Sequence, residues 1–130
     1  METQFYDALE TRDPAEREAI LMAALPRIIA AAKERAPAYR RLLAAVHPED
    51  IVDRRSLAEL PLTRKSALIE LQRQDPPFGG FVTAPMSSLR RVFVSPGPIY
   101  EPEGRDADYW RLARPLFAAG FRAGCGLRSI

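Results

Sequence analysis

The sequence predicts an α/β fold that is mostly α-helical and incomplete: a helical N-terminal region over 1–89, then one strand-loop-helix unit over 90–124. Three observations carry that prediction. Apolar residues recur at three- and four-residue steps through the first half of the chain, in runs bounded by capping residues, proline and glycine. Arg91–Val94 is a short β-branched and aromatic run, followed by a Pro/Gly loop over Ser95–Gly104 and a helical pattern over Tyr109–Ala119. After the turn Gly120–Gly124 a sheet is due to continue, because one strand cannot bury two faces; residues 125–130 read instead as a non-native tail.

Within the helical region, residues 1–12 are polar, with Phe5, Tyr6 and Leu9 as anchors onto another part of the molecule. Asp13-Pro14-Ala15-Glu16 starts a helix: Asp13 as N-cap, Pro14 at the first helical position and Glu16 closing a capping box. Ile20, Leu21, Leu25, Ile28, Ile29 and Ala32 share one face, and Pro26 within that pattern predicts a kink or two abutting helices. Pro37 begins the next helix, to about Val46, with Tyr39, Leu42, Leu43 and Val46 inward.

His47–Asp50 is a turn, and Asp53 caps a short helix over 54–59. Thr63 caps a further helix to about Arg73, with Leu68, Ile69 and Leu71 as core, while Arg64 and Lys65 face solvent. Asp75-Pro76-Pro77 and Gly79-Gly80 break it, and 81–89 is irregular or a short strand. Asp106 caps the last helix, Gly120 ends it, Pro115 bends it, and Trp110, Leu116 and Phe117 lie in the core.

Composition narrows the function classes. At 47% hydrophobic and 28% charged, the chain is that of a soluble globular protein. A net charge of +2 with mixed signs gives no nucleic-acid footprint. No apolar run is long enough for a membrane span, and no signal peptide precedes the first helix. The single cysteine, Cys125, fits a reducing cytosol, so a cytoplasmic location is expected. His47 lacks a companion ligand or nucleophile and reads as a surface residue; no metal site is predicted. Ser95 has no His or Asp placed to activate it, so no catalytic residue is assigned.

A strand, a Gly/Pro loop and a helix in that order is an arrangement by which α/β proteins bring backbone N–H groups to a phosphate. Three stretches resemble a known family. Tyr6–Glu18 resembles the N-terminus of phenylacetate-CoA ligase-like proteins of the adenylate-forming (AMP-binding) superfamily. Leu60-Pro61-Leu62-Thr63-Arg64-Lys65-Ser66 resembles their LPxTxKxxL segment, with Phe78-Gly79-Gly80 following. Ser95–Pro102 lies where the family carries the phosphate-binding loop Ser-Ser-Gly-Thr-Thr-Gly-Lys-Pro, and Tyr109-Trp110 and Ala119–Gly124 match the helix and turn beyond it. The resemblance implies that 90–124 starts an adenylate-forming core. It also implies a full-length enzyme that uses ATP, Mg²⁺ and coenzyme A to convert a small aromatic or acyl acid to its CoA thioester.

Only Ser95, Gly97 and Pro102 keep the family pattern in that loop; Pro98, Ile99, Tyr100 and Glu101 replace two threonines, a glycine and a lysine. Prolines remove N–H donors, and Glu101, Glu103, Asp106 and Asp108 place negative charge around the helix N-terminus. Ser95 and Gly97 are therefore degenerate phosphate-loop positions, and the adenylate pocket and C-terminal domain of the family are missing. The expectation is an N-terminal part of such a ligase, binding no cofactor and inactive alone, with a protein partner as one source of the missing domain. The alternative is a small helical binding module whose 95–104 loop and last helix contact a protein.

Overall fold

The computed structural model describes residues 4–122 and 124. The tail 125–130, with Cys125, lies outside the described residues. Helix α1 spans Pro14–Arg35, with Asp13 Oδ1 accepting from the N–H groups of Ala15 (2.9 Å) and Glu16 (3.1 Å). Among the described residues no bond from the Glu16 side chain completes the expected capping box. Pro26 sits inside one uninterrupted helix, so two abutting helices are excluded. The missing N–H removes one rung from a helix of 22 residues, and the alanine- and leucine-rich flanks carry the rest.

Pro37 begins α2, Pro37–Leu42, four residues shorter than expected. The chain tightens instead through i→i−3 bonds, Ala44 N–H to Arg41 O and Val46 N–H to Leu43 O, before His47-Pro48 forbids helix. Ile29, Leu43 and Ile51 form the core here, with Leu25, Tyr39, Leu42, Val46 and Leu60 packed against them. The expected α1 stripe is only partly used: Ile20, Leu21 and Ile28 are exposed, because no described element covers that side of the helix. Arg40 donates to the carbonyls of Lys33 and Glu34 and so caps the end of α1, where cations are favoured.

Helix α3, Arg54–Ala58, carries a reciprocal capping box between Asp53 and Ser56. Arg54 also reaches Glu18 on α1 with a two-pronged ion pair, Nη2 to Oε2 at 2.7 Å. Helix α4, Lys65–Gln74, starts one residue later than expected: Arg64, extended and without a side-chain cap, is the N-cap in place of Thr63. Gly79 and Gly80 turn with φ of +66° and +74°, and Gly80 O accepts from Ala38 N–H at 3.0 Å. A Cβ on Gly80 would lie 2.9 Å from Asp75 Oδ2 and 3.3 Å from the Ala38 nitrogen, so this crossing over α2 requires glycine. Residues 81–90 are irregular apart from a single helical turn at Met86–Ser88.

The strand-to-helix order holds, but the loop between them is itself largely sheet. Strand β1, Arg91–Ser95, turns through Pro96-Gly97-Pro98 into β2, Ile99–Glu103, antiparallel in the register Ser95↔Ile99, Phe93↔Glu101, Arg91↔Glu103. Gly97, at φ +102°, makes the three-residue turn feasible. The last helix, α5, is only Ala113–Ala118. Asp106 does not cap it: Asp108 Oδ1 accepts from Leu112 N–H (2.8 Å) and Ala113 N–H (3.1 Å), and Arg111 at φ +56° breaks the preceding turn. Pro115 therefore falls in the first helical turn, where its absent N–H costs no hydrogen bond. Gly120 is C′ as expected: its N–H reaches Phe117 O and Phe121 N–H reaches Leu116 O, the paired bonds of a Schellman motif.

Of the three expected anchors only Tyr6 is placed on α5; Phe5 and Leu9 are exposed. Tyr6 meets Phe117 edge to face at 5.8 Å between ring centres, and Asp7 pairs with Arg114 at 2.8 Å. Leu116 and Trp110, expected in the core, are exposed, and Phe117 is half-buried. The short helix lies on the surface here and has too few described neighbours to cover them.

Candidate functional site

Two features qualify as a site, and they share β2. The first is a groove of about 470 Å³ between α4 and β2. Its lining is mainly aromatic and aliphatic, with Tyr39, Phe78, Phe81, Tyr109 and Trp110 among its walls, and Thr63 and Lys65 contribute from the segment entering α4. Lys65 Nζ stands 3.6 Å from Glu101, so this exposed lysine leans across the groove toward β2.

What fixes β2 beside α4 is Gln72, buried within the helix. Its Nε2 donates to Tyr100 O and its Oε1 accepts from Tyr100 N–H, both at 2.9 Å. The amide thus occupies the edge of β2 that faces away from β1. Gln72 is not among the candidate residues that the sequence singles out. Its position four residues after Leu68 and three after Ile69, on the inward face of α4, is the signal that a buried polar group is at work there.

At the far end of β2, Glu103 is buried and its carboxylate is fully engaged. Trp110 Nε1 donates to Oε2 at 3.1 Å, and Arg90 and Arg91 lie 3.8 and 3.5 Å from Oε1. Tyr109 packs on Gly104 so closely that a Cβ there would come within 2.8 Å of the ring. Glu103 and Gly104 together seat the Tyr109-Trp110 pair along the groove wall.

The second feature is the hairpin turn, the expected phosphate-loop position. Ser95 is half-buried and its Oγ lies 3.5 Å from Ile99 O; Gly97 forms the apex, against Ile69. Between prolines 96 and 98, Gly97 holds the sole backbone N–H of the turn. The expected ring of carboxylates at the helix start is redistributed. Glu101 faces Lys65, Glu103 is enclosed by arginines and Trp110, and Asp108 already occupies the first N–H groups of α5. These residues offer a polyphosphate few free donors, because Pro96 and Pro98 have no N–H and the first N–H groups of α5 are already bonded to Asp108. Among the described residues no three His, Cys, Asp or Glu side chains converge as a metal site requires.

No family model matches the chain. The phenylacetate-coenzyme A ligase of Thermus thermophilus is 34% identical across 93% of this chain. Among solved structures, 2-hydroxyisobutyryl-CoA ligase in the postadenylation state with 2-HIB-AMP superposes on 85% of the chain with a TM-score of 0.73 and 32% identity. Its complex with R3-HIB-AMP matches 88% with a TM-score of 0.75, again at 32% identity. In both sequence and structure the chain is similar to CoA ligases of the adenylate-forming family. It spans 28% of the length of the curated relative and 25% of those solved ligases. The same ligase with 2-HIB-AMP and CoA in the thioesterification state matches 73% of this chain at a TM-score of 0.64. The α/β piece seen here, helical region and hairpin together, is thus a portion of a CoA-ligase fold. Among the described residues no helix is long and apolar enough to cross a membrane.

Proposed function

We propose that this chain is one part of an ATP-dependent ligase that joins a small aromatic or acyl acid to coenzyme A in the cytoplasm, and that it completes no reaction alone. The likeness to CoA ligases in both sequence and structure carries this reading. In the complete reaction the acid's carboxylate attacks the α-phosphorus of Mg²⁺-bound ATP and pyrophosphate leaves. The thiol of coenzyme A then displaces AMP from the acyl-adenylate. This chain contributes the α4–β2 groove and the hairpin; the remaining residues of the site come from the rest of the domain, in the same polypeptide or in a protein partner.

The chain alone holds only part of that site, and its turn weakens phosphate binding further. An anion approaching the turn meets the single N–H of Gly97 and the Glu101 carboxylate, whose repulsion of about 1 kcal/mol in water is partly offset by Lys65 at 3.6 Å. Ser95 and Gly97 keep their family positions without the donors around them. Pyrophosphate exchange with phenylacetate and 2-hydroxyisobutyrate tests the reading. The isolated chain should not rise above the no-enzyme control, whereas the chain joined to the complementary three quarters of 2-hydroxyisobutyryl-CoA ligase should. Exchange by the isolated chain, or none in a folded joined protein, would refute it.

A further inference from the structure

The two edges of the hairpin are built differently. Tyr100 sends its N–H and C=O outward to Gln72. In an antiparallel ladder outward and inward residues alternate, so Pro102, two residues on, also faces outward and has no N–H to offer. The outer edge of β2 is therefore closed, by a side-chain amide at one position and a proline at the next. The same alternation turns the backbone groups of their partners, Val94 opposite Tyr100 and Val92 opposite Pro102, toward the outer edge of β1. Among the described residues nothing bonds to them.

That open edge carries none of the usual protection. Val92, Phe93 and Val94 are 40%, 41% and 58% exposed, with the valines on one pleat face and Phe93 on the other. Arg90 and Arg91, which could guard the strand, are drawn toward Glu103 on β2. We infer that the outer edge of β1 is the docking edge for the remaining three quarters of an adenylate-forming domain, which adds a strand along Val92–Val94 and covers both faces. This rests on the CoA-ligase reading above. The solved ligases hold the counterpart of this chain within a chain four times as long. A second copy pairing edge to edge would satisfy the backbone but leave the valine face bare; on the other face Trp110 already meets Phe93 edge to face. A strand apolar on both sides calls for layers on both sides, which a large α/β domain supplies.

Amide hydrogen exchange at Val92 and Val94 tests this, comparing the full 130-residue chain with a fusion in which it replaces the matching quarter of 2-hydroxyisobutyryl-CoA ligase. Both amides should exchange at least tenfold more slowly in the fusion. Val94→Pro should leave the β1–β2 pairing of the isolated chain intact, since that N–H faces away from β2, yet abolish the added protection at Val92 in the fusion. Equal exchange in the two proteins overturns the inference, as does concentration-dependent protection in the isolated chain, which would assign the edge to a second copy. Protection without adenylation would instead count against the proposed function and leave the edge assignment standing.

Discussion

The side-chain amide of Gln72 meets the backbone of Tyr100 as a neighbouring strand would, donating to its carbonyl and accepting from its N–H, each at 2.9 Å. A helix side chain thereby anchors a two-stranded sheet that would be marginal alone. Gln72→Leu should cost about 1–3 kcal/mol, read from urea unfolding, because it leaves both Tyr100 groups unpaired. Gln72→Glu keeps one bond but sets a carboxylate oxygen against Tyr100 O. Its stability relative to wild type should rise as pH falls from neutral toward about 5, where a protonated carboxyl can donate again. A wild-type urea midpoint in the leucine variant would mean that the clasp contributes nothing.

At the turn, Gly97 holds φ +102°, a region that side chains avoid. Gly97→Ala should destabilise the chain by about 1–2 kcal/mol although the nearest atom, Ile69 Cδ1, leaves room for a Cβ at 3.7 Å. Because the cost is backbone strain, Gly97→Asn should recover part of it. The thermal midpoints of the two variants decide this.

Acid should loosen the molecule at three separate places. A side-chain hydrogen bond from Arg114 lowers the pKa of Asp7, Arg54 does the same for Glu18, and the Ser56 backbone N–H does so for Asp53. Groups with depressed folded values contribute their full stability above their unfolded values, near about 4, and lose it as pH falls through the folded ones. Arg114→Gln should move the Asp7 titration, followed by carboxyl NMR shifts, upward toward the ordinary carboxylate range, with the Leu9 N–H and Arg12 still holding it below, and should reduce its share of the acid sensitivity. An unmoved Asp7 titration would show that Arg114 is not the cause.

Restoring the family loop residues, Pro98→Thr, Ile99→Thr, Tyr100→Gly and Glu101→Lys, in the fusion with the ligase should raise adenylation at least tenfold. The gain is opposed by stability, because Ile99 is buried and Glu101 faces Lys65. Ile99→Thr alone should lower the unfolding free energy, read from urea titration, by about 1–2 kcal/mol through lost apolar burial. If the unrestored fusion already adenylates at the restored rate, the turn handles ATP through groups other than those named here.

What could be read from the sequence was local. Asp13-Pro14, Asp53 and Gly120 mark helix ends through bonds reaching two to five residues, and each marks one here. β2 could not be read, because Pro102 speaks against a strand and the partner that offsets it, Gln72, is 28 residues away from Tyr100. The last helix was overextended because Asp108 looks like any first-turn acid until its Oδ1 is seen to take the N–H groups of Leu112 and Ala113. The α1 stripe was read as one buried face, yet Ile29 is buried and Ile28 is not. Periodicity identifies an apolar face but says nothing about how much of it neighbouring elements reach. At the site, the residue types at 98–101 are legible directly; the aromatic groove is not, since its walls come from five separate segments.

The Asp7–Arg114 pair joins positions 107 residues apart. Bringing such distant points together costs about 4 kcal/mol in the length-dependent part of the closure entropy. At translation rates of about 5–20 residues per second, Asp7 exists for roughly 5–20 s before Arg114 has been made. For that interval Tyr6 and Asp7 have no α5 to dock on, while α1, α2 and α3 can already form. The segment around Tyr6 and Asp7 is therefore the last described piece to find its place, although it is made before the helices that follow it.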